Sequence, residues 1–188
     1  AGTLHGPGEA ARLALLPELS EALMETGDLA RAGAMLEEAL EGARAAGDRG
    51  LEGHATIMNL LLMESTDPKA RSEIALRELQ RLIPIFEELD DRLGLARAWR
   101  LTADLRWAQE RYAAVDVALE RAMEHAHAAG AGWVEAECQG LLAGSAVYGP
   151  TPVPDAVARC EQILAANRSN RLVEALAERS LASLRAMQ

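Results

Sequence analysis

Apolar residues recur at helical spacing along nearly the whole chain, and short breaks divide them into successive segments. One segment carries apolar residues three and four positions apart, namely Leu29, Ala32, Leu36, Ala39 and Leu40. This spacing places them on one face of a helix. Gly27, which precedes the segment, fits the left-handed end of a helix, and Asp28 fits the N-cap of the next one. Similar breaks along the chain predict an all-α protein of about nine helices.

A loop sequence recurs between these predicted helices. Residues 47–51 (GDRGL) are followed by a related sequence at 90–95 (DDRLGL) and by a looser one at 130–133 (GAGW), with starting points about 40 residues apart, a period that suits a two-helix repeat. We therefore expect a linker or vector-derived remnant at residues 1–8 and a single domain at 9–188. Its expected parts are units at 9–47, 48–90, 91–130 and 131–168 and a final helix at 170–188.

Proline marks one of the breaks inside these units. Asp67 fits a helix N-cap, and Pro68 fits the first helical position, where no amide donor is needed. The helix that they open is expected to extend to about Leu89. Pro84 lies inside it, and an internal proline removes a hydrogen bond and clashes one turn back. The sequence therefore predicts a kink near Gln80 to Pro84.

Large and small residues alternate along the units in a pattern that carries a family signature. The third unit shows it at Trp99, Ala103, Tyr112, Val115, Leu119 and Ala122. Small residues let helix backbones approach, and large ones fill the space between successive pairs. The chain thus resembles the tetratricopeptide family, which implies a right-handed superhelical α-α solenoid of helix pairs. The second unit departs from the pattern, with Arg77 where a small residue is expected.

Three shorter stretches carry a narrower resemblance. They are RLALLPEL at 12–19, FEEL at 86–89 leading into GLARAW at 94–99, and GPTPV at 149–153. They resemble the C-terminal helical arm of large actinobacterial signalling proteins, which join it to an AAA-type ATPase, often with a cyclase or transcriptional-activator domain. The resemblance implies an arm that docks or senses something for a catalytic module elsewhere. The P-loop pattern of such an ATPase is absent from this sequence.

Charge and composition narrow the possible partners. The 188 residues include 19 basic and 29 acidic ones, for a net charge of −10, which repels nucleic acids and anionic membrane surfaces. The sequence has no apolar stretch of the roughly 18 residues that a membrane helix needs, and no secretory signal pattern. We expect a cytoplasmic protein that binds neither nucleic acid nor membrane, with Cys138 and Cys160 as buried, reduced thiols.

Residue types suited to catalysis occur without the spacing that chemistry requires. His125 and His127 are two apart, so on a helix they point about 200° from each other and cannot face one metal ion. Acidic residues such as Glu37, Glu38 and Glu41 normally solvate the outer face of a repeat helix. No nucleophile motif of the G-x-S-x-G type is present. We expect no enzymatic activity, no metal and no cofactor.

Trp107 is the residue that most suggests a binding site. The repeat alignment places it on the groove-facing side of its helix with Arg97, Arg100 and Asp104. An aromatic ring with two arginines suits a peptide carboxylate or an acidic segment. The alternative, in which Trp107 packs against the neighbouring helix pair, is equally open. Three apolar residues are expected to continue the binding face, namely Met24, Leu60 and Met63.

Three hypotheses for function follow. The first is a scaffold or regulatory arm that binds a protein or peptide, other domains of the same full-length chain included. The second is an arm that senses a small-molecule effector and shifts a neighbouring ATPase. The third is an oligomerisation arm, in which the apolar face of the last helix pairs with a second copy. That face consists of Leu172, Leu176, Leu181 and Leu184.

Overall fold

A computed structural model describes residues 7–66 and 72–187, and helices connected by short turns make up this part of the chain. The described residues form nine helices: α1 (Pro7–Glu25), α2 (Leu29–Ala46), α3 (Arg49–Thr66), α4 (Ser72–Glu88), α5 (Arg92–Ala108), α6 (Tyr112–Ala129), α7 (Gly132–Tyr148), α8 (Val153–Ala166) and α9 (Arg171–Arg185). With 87% of the structure helical and no strand among these residues, the all-α prediction is confirmed. The right-handed superhelix stays a prediction.

One type of turn ends five of these helices. A residue one or two positions after the helix adopts a left-handed conformation and donates its N–H to the carbonyl three residues back, while the next N–H donates to the carbonyl five residues back. The left-handed positions are Gly27, Gly47, Asp90, Glu110 and Gly130. Gly27 therefore ends α1 as predicted. The predicted cap at Asp28 is also confirmed, because its carboxylate accepts a hydrogen bond from the Arg31 N–H at 3.3 Å.

Glu110 is one of the two non-glycine residues in these turns, with φ at 59°. This conformation costs an L-residue about 1–2 kcal/mol, and a glycine would not bear that cost. The greater conformational freedom of glycine in the unfolded chain offsets part of the stability gained by the substitution. We expect Glu110→Gly to raise the free energy of unfolding by about 0.5–1 kcal/mol in urea denaturation. Glu110→Ala retains the strained conformation and is the matched control. A glycine variant no more stable than the alanine variant would contradict the left-handed conformation assigned to Glu110.

The helix that contains Pro84 is continuous. α4 extends from Ser72 to Glu88 with the proline inside it, so its end agrees with the expected limit near Leu89. The kink predicted near Gln80 to Pro84 stays a prediction. The cap and first-turn proline predicted at 67 and 68 lie outside the described residues.

Contacts between helices divide the chain into two compact units, and we call the part up to Gly94 the N-terminal unit and the part from Leu95 the C-terminal unit. In the N-terminal unit α1 packs against α2 and α3, α2 packs against α3, and α3 packs against α4. In the C-terminal unit α7 packs against α6, α8 and α9, and α8 packs against α9. Contacts to the next helix and to the next but one are typical of helical repeats. The single domain at 9–188 and its unit boundaries stay predictions.

Glycines inside helices allow large side chains to approach the backbone. Phe86 of α4 is fully buried, and a Cβ on Gly53 of α3 would lie 2.7 Å from its ring. A Cβ on Gly94 of α5 would clash with the same ring. In the C-terminal unit, a Cβ on Gly140 would lie 2.7 Å from Leu176 of α9. These close approaches show why small residues occur at helix contacts of this fold.

Candidate functional site

The residues predicted to bind a partner are divided between the two units. The N-terminal unit contains Met24 on α1 and both Leu60 and Met63 on α3. Leu60 is buried, and the two methionines are half-buried. The C-terminal unit contains the four residues predicted on α5, namely Arg97, Arg100, Asp104 and Trp107. The α5 residues lie in two different environments, described in turn below.

Arg100 lies at the centre of a charge network between α5 and α7. Its Nη1 donates to Asp104 Oδ2 at 3.1 Å, and its Nε lies 2.7 Å from Glu137 Oε2 of α7. Burial raises the pKa of the Asp104 carboxyl above its usual range, although the charge of Arg100 acts in the opposite direction. Arg100 therefore already has two carboxylate partners. An incoming carboxylate has to exchange with one of them, and the side chain of Glu137 is the more exposed.

Arg97 supports an aromatic ring on the neighbouring helix. The residue is only 8% exposed, and its guanidinium carbon lies 5.4 Å from the centroid of the Trp133 ring on α7. This is a cation–π arrangement. Trp133 itself is 46% exposed. The solvent-facing aromatic side chain beside the charge network is thus Trp133.

Trp133 was not selected from the sequence, although a signal for it exists. It follows Gly132 in the first turn of α7 and lies four residues before Glu137. Side chains four residues apart share one face of a helix. A search for an exposed aromatic on the face that carries Glu137 would therefore have selected it.

Trp107 packs inside an aromatic cluster. Its ring lies edge-on to Tyr112 of α6 and Tyr148 of α7, with centroids 5.5 and 6.0 Å apart, and the two tyrosine rings stack at 5.7 Å. Both arrangements are favourable for aromatic pairs. Gly144 makes room for the indole, since a Cβ there would lie 3.0 Å from it. These surroundings match the packing alternative for Trp107, and its proposed role in binding stays untested.

The two cysteines and His54 are part of the packed structure. Both cysteines are free and buried, as predicted, and burial raises the pKa of Cys138 to about 12. Its thiol is therefore protonated at neutral pH and is a poor nucleophile. His54 Nε2 lies 2.7 Å from Asp91 Oδ2 and joins α3 to the residue that precedes α5. Within the described parts of the chain, no three His, Cys, Asp or Glu side chains are grouped to hold a metal.

Only part of the apolar face predicted on the last helix is exposed. Leu181 and Leu184 are buried in the C-terminal unit, and Leu176 packs against Gly140. Leu172 is 66% exposed. The expectation of a four-leucine pairing face is therefore wrong for Leu181 and Leu184, because they are already used in the packing of the unit. Dimerisation through α9 stays a prediction.

Comparison with known proteins assigns no family to the chain. The sequence matches no protein-family model, and the curated proteins include no significant match. The class of the protein is therefore defined by its fold, an all-α architecture of the helical-repeat kind. Among the described helices, none combines the length and apolar character needed to cross a bilayer.

Proposed function

We propose that this chain is a non-catalytic, tetratricopeptide-like scaffold that binds a protein or peptide and acts as the regulatory arm of a larger cytoplasmic signalling protein. The observation that carries this proposal is the exposed Trp133 ring held over the Arg97 guanidinium, beside the pair of Arg100 and Glu137. Tryptophan and arginine are the residues most enriched among the energetic anchors of protein interfaces. Helical repeats supply extended surfaces on which such anchors act.

The arrangement favours binding because its parts are already ordered. The buried Arg97 fixes the Trp133 ring, and Arg100 is held by Asp104 and Glu137. Binding therefore costs little entropy for ordering these side chains. An apolar partner residue packs on the exposed indole, and a partner carboxylate replaces Glu137 at Arg100 while the more buried Asp104 remains in place. This selects an acidic segment that contains an apolar residue.

A selection from random peptides tests the proposal and requires no identified partner. Peptides of 12 residues displayed on phage are selected on the purified chain, and the affinities of enriched peptides are measured by fluorescence anisotropy. We expect acidic peptides with an apolar residue, and we expect Trp133→Ala to weaken their binding at least about tenfold, as for an interface anchor. Because the indole is half exposed, the helical circular-dichroism signal should not change.

The matched control is Val117→Ala, which alters a similarly exposed apolar residue on α6 of the same unit. Its binding should equal that of the unmodified chain. Enriched peptides that bind both variants with the same affinity would show that the Trp133 surface is not the site. A selection that enriches no peptide would contradict the scaffold function itself.

A further inference from the structure

The outward face of α1 is apolar. Leu15 is 55% exposed and Leu19 is 49% exposed, and the exposed Ala11 and Ala22 lie on the same side of the helix. Residues spaced by three or four positions form a continuous row on a helix. We call this row, Ala11, Leu15, Leu19 and Ala22, the α1 stripe. The opposite side of α1 contributes Leu13 and Leu16 to the core.

A helix that is apolar on both sides is normally enclosed by its neighbours. α7 shows this case, because α6, α8 and α9 all pack against it. α1 packs against α2 and α3 through its core side, which leaves the α1 stripe exposed to solvent. A helix face that is exposed to solvent is usually polar or charged. The α1 stripe therefore has the character of a surface that another helix covers.

Acidic groups border the stripe on both edges. Glu18 and Glu25 are exposed along one edge of α1. The other edge faces a groove between α1 and α2 that is lined by Glu9, Glu38 and Glu41 together with Arg12. Arg12 is matched by Glu38 at 2.6 Å, so the groove retains a negative charge. A helix that covers the stripe meets carboxylates on both of its flanks.

We propose that the α1 stripe docks an amphipathic helix of a partner protein, with apolar residues at helical spacing and lysine or arginine on both flanks. Opposite charges at the rim of an interface select the partner and its orientation, and like charges exclude others. If a second copy of this chain covered the stripe, its acidic residues would lie against Glu18 and Glu25. The net charge of −10 on each copy adds to this repulsion. The surface involves α1 and α2 and is independent of the function proposed for Trp133.

Titration of two synthetic helical peptides tests this inference. One 18-residue peptide carries leucines along one side and lysines and arginines on both flanks, and the other carries glutamates in place of those basic residues. We expect saturable binding of the basic peptide in fluorescence anisotropy, weaker at high salt because exposed charges are screened. Leu15→Ser with Leu19→Ser should weaken it at least about tenfold. Glu18→Gln with Glu25→Gln should weaken it severalfold and reduce its salt dependence.

Ile74→Ser is the control, since Ile74 is a similarly exposed apolar residue on α4 of the same unit, and it should bind like the unmodified chain. Equal binding of both peptides, or binding that Leu15 and Leu19 do not affect, would overturn the charge-selected docking site. Failure of both peptides to bind would overturn it as well. Sedimentation that shows a dimer dissociated by the double serine variant would assign the stripe to a second copy instead. None of these outcomes changes the result expected for Trp133→Ala, because that substitution alters only the C-terminal unit.

Discussion

Phe86→Ala is expected to lower the free energy of unfolding by about 3–5 kcal/mol. The ring is fully buried in the N-terminal unit, where it lies close against the backbones of Gly53 and Gly94. The His54 ring lies 5.3 Å away. Because neither glycine has a side chain that could move into the cavity, little relaxation can reduce the loss. Urea denaturation followed by circular dichroism at 222 nm measures the change.

Leu89→Ala is the control for this prediction, because Leu89 lies one turn from Phe86 and is exposed. Its expected effect is within about 0.5 kcal/mol, as for surface substitutions in general. Phe86→Leu should fall between the two, since it retains part of the buried volume. If Phe86→Ala cost no more than Leu89→Ala, the enclosure of the ring by the two glycines would be incorrect.

Local signals were sufficient to predict the helices. Gly27 and Asp28 act through their own backbone and side chain, so their effects can be recognised from a few neighbouring residues. The turn at Asp90 was found through repetition of the loop sequence, although it has no glycine at the left-handed position. The handedness of the stacking, in contrast, depends on how helix pairs pack on one another. No short stretch of sequence encodes it.

The surroundings of the candidate site residues could be predicted less well than the helices, because these surroundings arise from contacts between distant parts of the chain. Repeat alignment selected Trp107, but Tyr112 and Tyr148 surround it only after α5, α6 and α7 have packed. Arginine is usually exposed, so the burial of Arg97 was not expected. Its guanidinium lies over Trp133, which belongs to the next repeat unit of the sequence, and this contact could not be predicted from neighbouring residues. Trp107 stays a predicted binding residue, and Trp133 is the aromatic side chain that the structure exposes beside Arg97.

Asp116→Ala is expected to lower the free energy of unfolding by about 2–3 kcal/mol, because it removes the acceptor of two hydrogen bonds. Asp116 Oδ1 accepts from the Ser145 hydroxyl and Oδ2 accepts from Arg159 Nη1, both at 2.6 Å. One side chain of α6 thereby joins α7 and α8. Ser145 is buried, so its hydroxyl has no access to water as a replacement. The ion pair with Arg159 is partly exposed and contributes less.

Two comparisons separate these contributions in urea denaturation. Glu120→Ala removes a second, exposed carboxylate of α6 that lies 3.4 Å from the same arginine, and it should change the unfolding free energy by less than about 0.5 kcal/mol. A double-mutant cycle of Asp116→Ala with Ser145→Ala should give strongly non-additive losses, because the serine substitution removes the unsatisfied hydroxyl. Additive losses would mean that the hydroxyl finds another acceptor. The network would then stabilise the C-terminal unit through Arg159 alone.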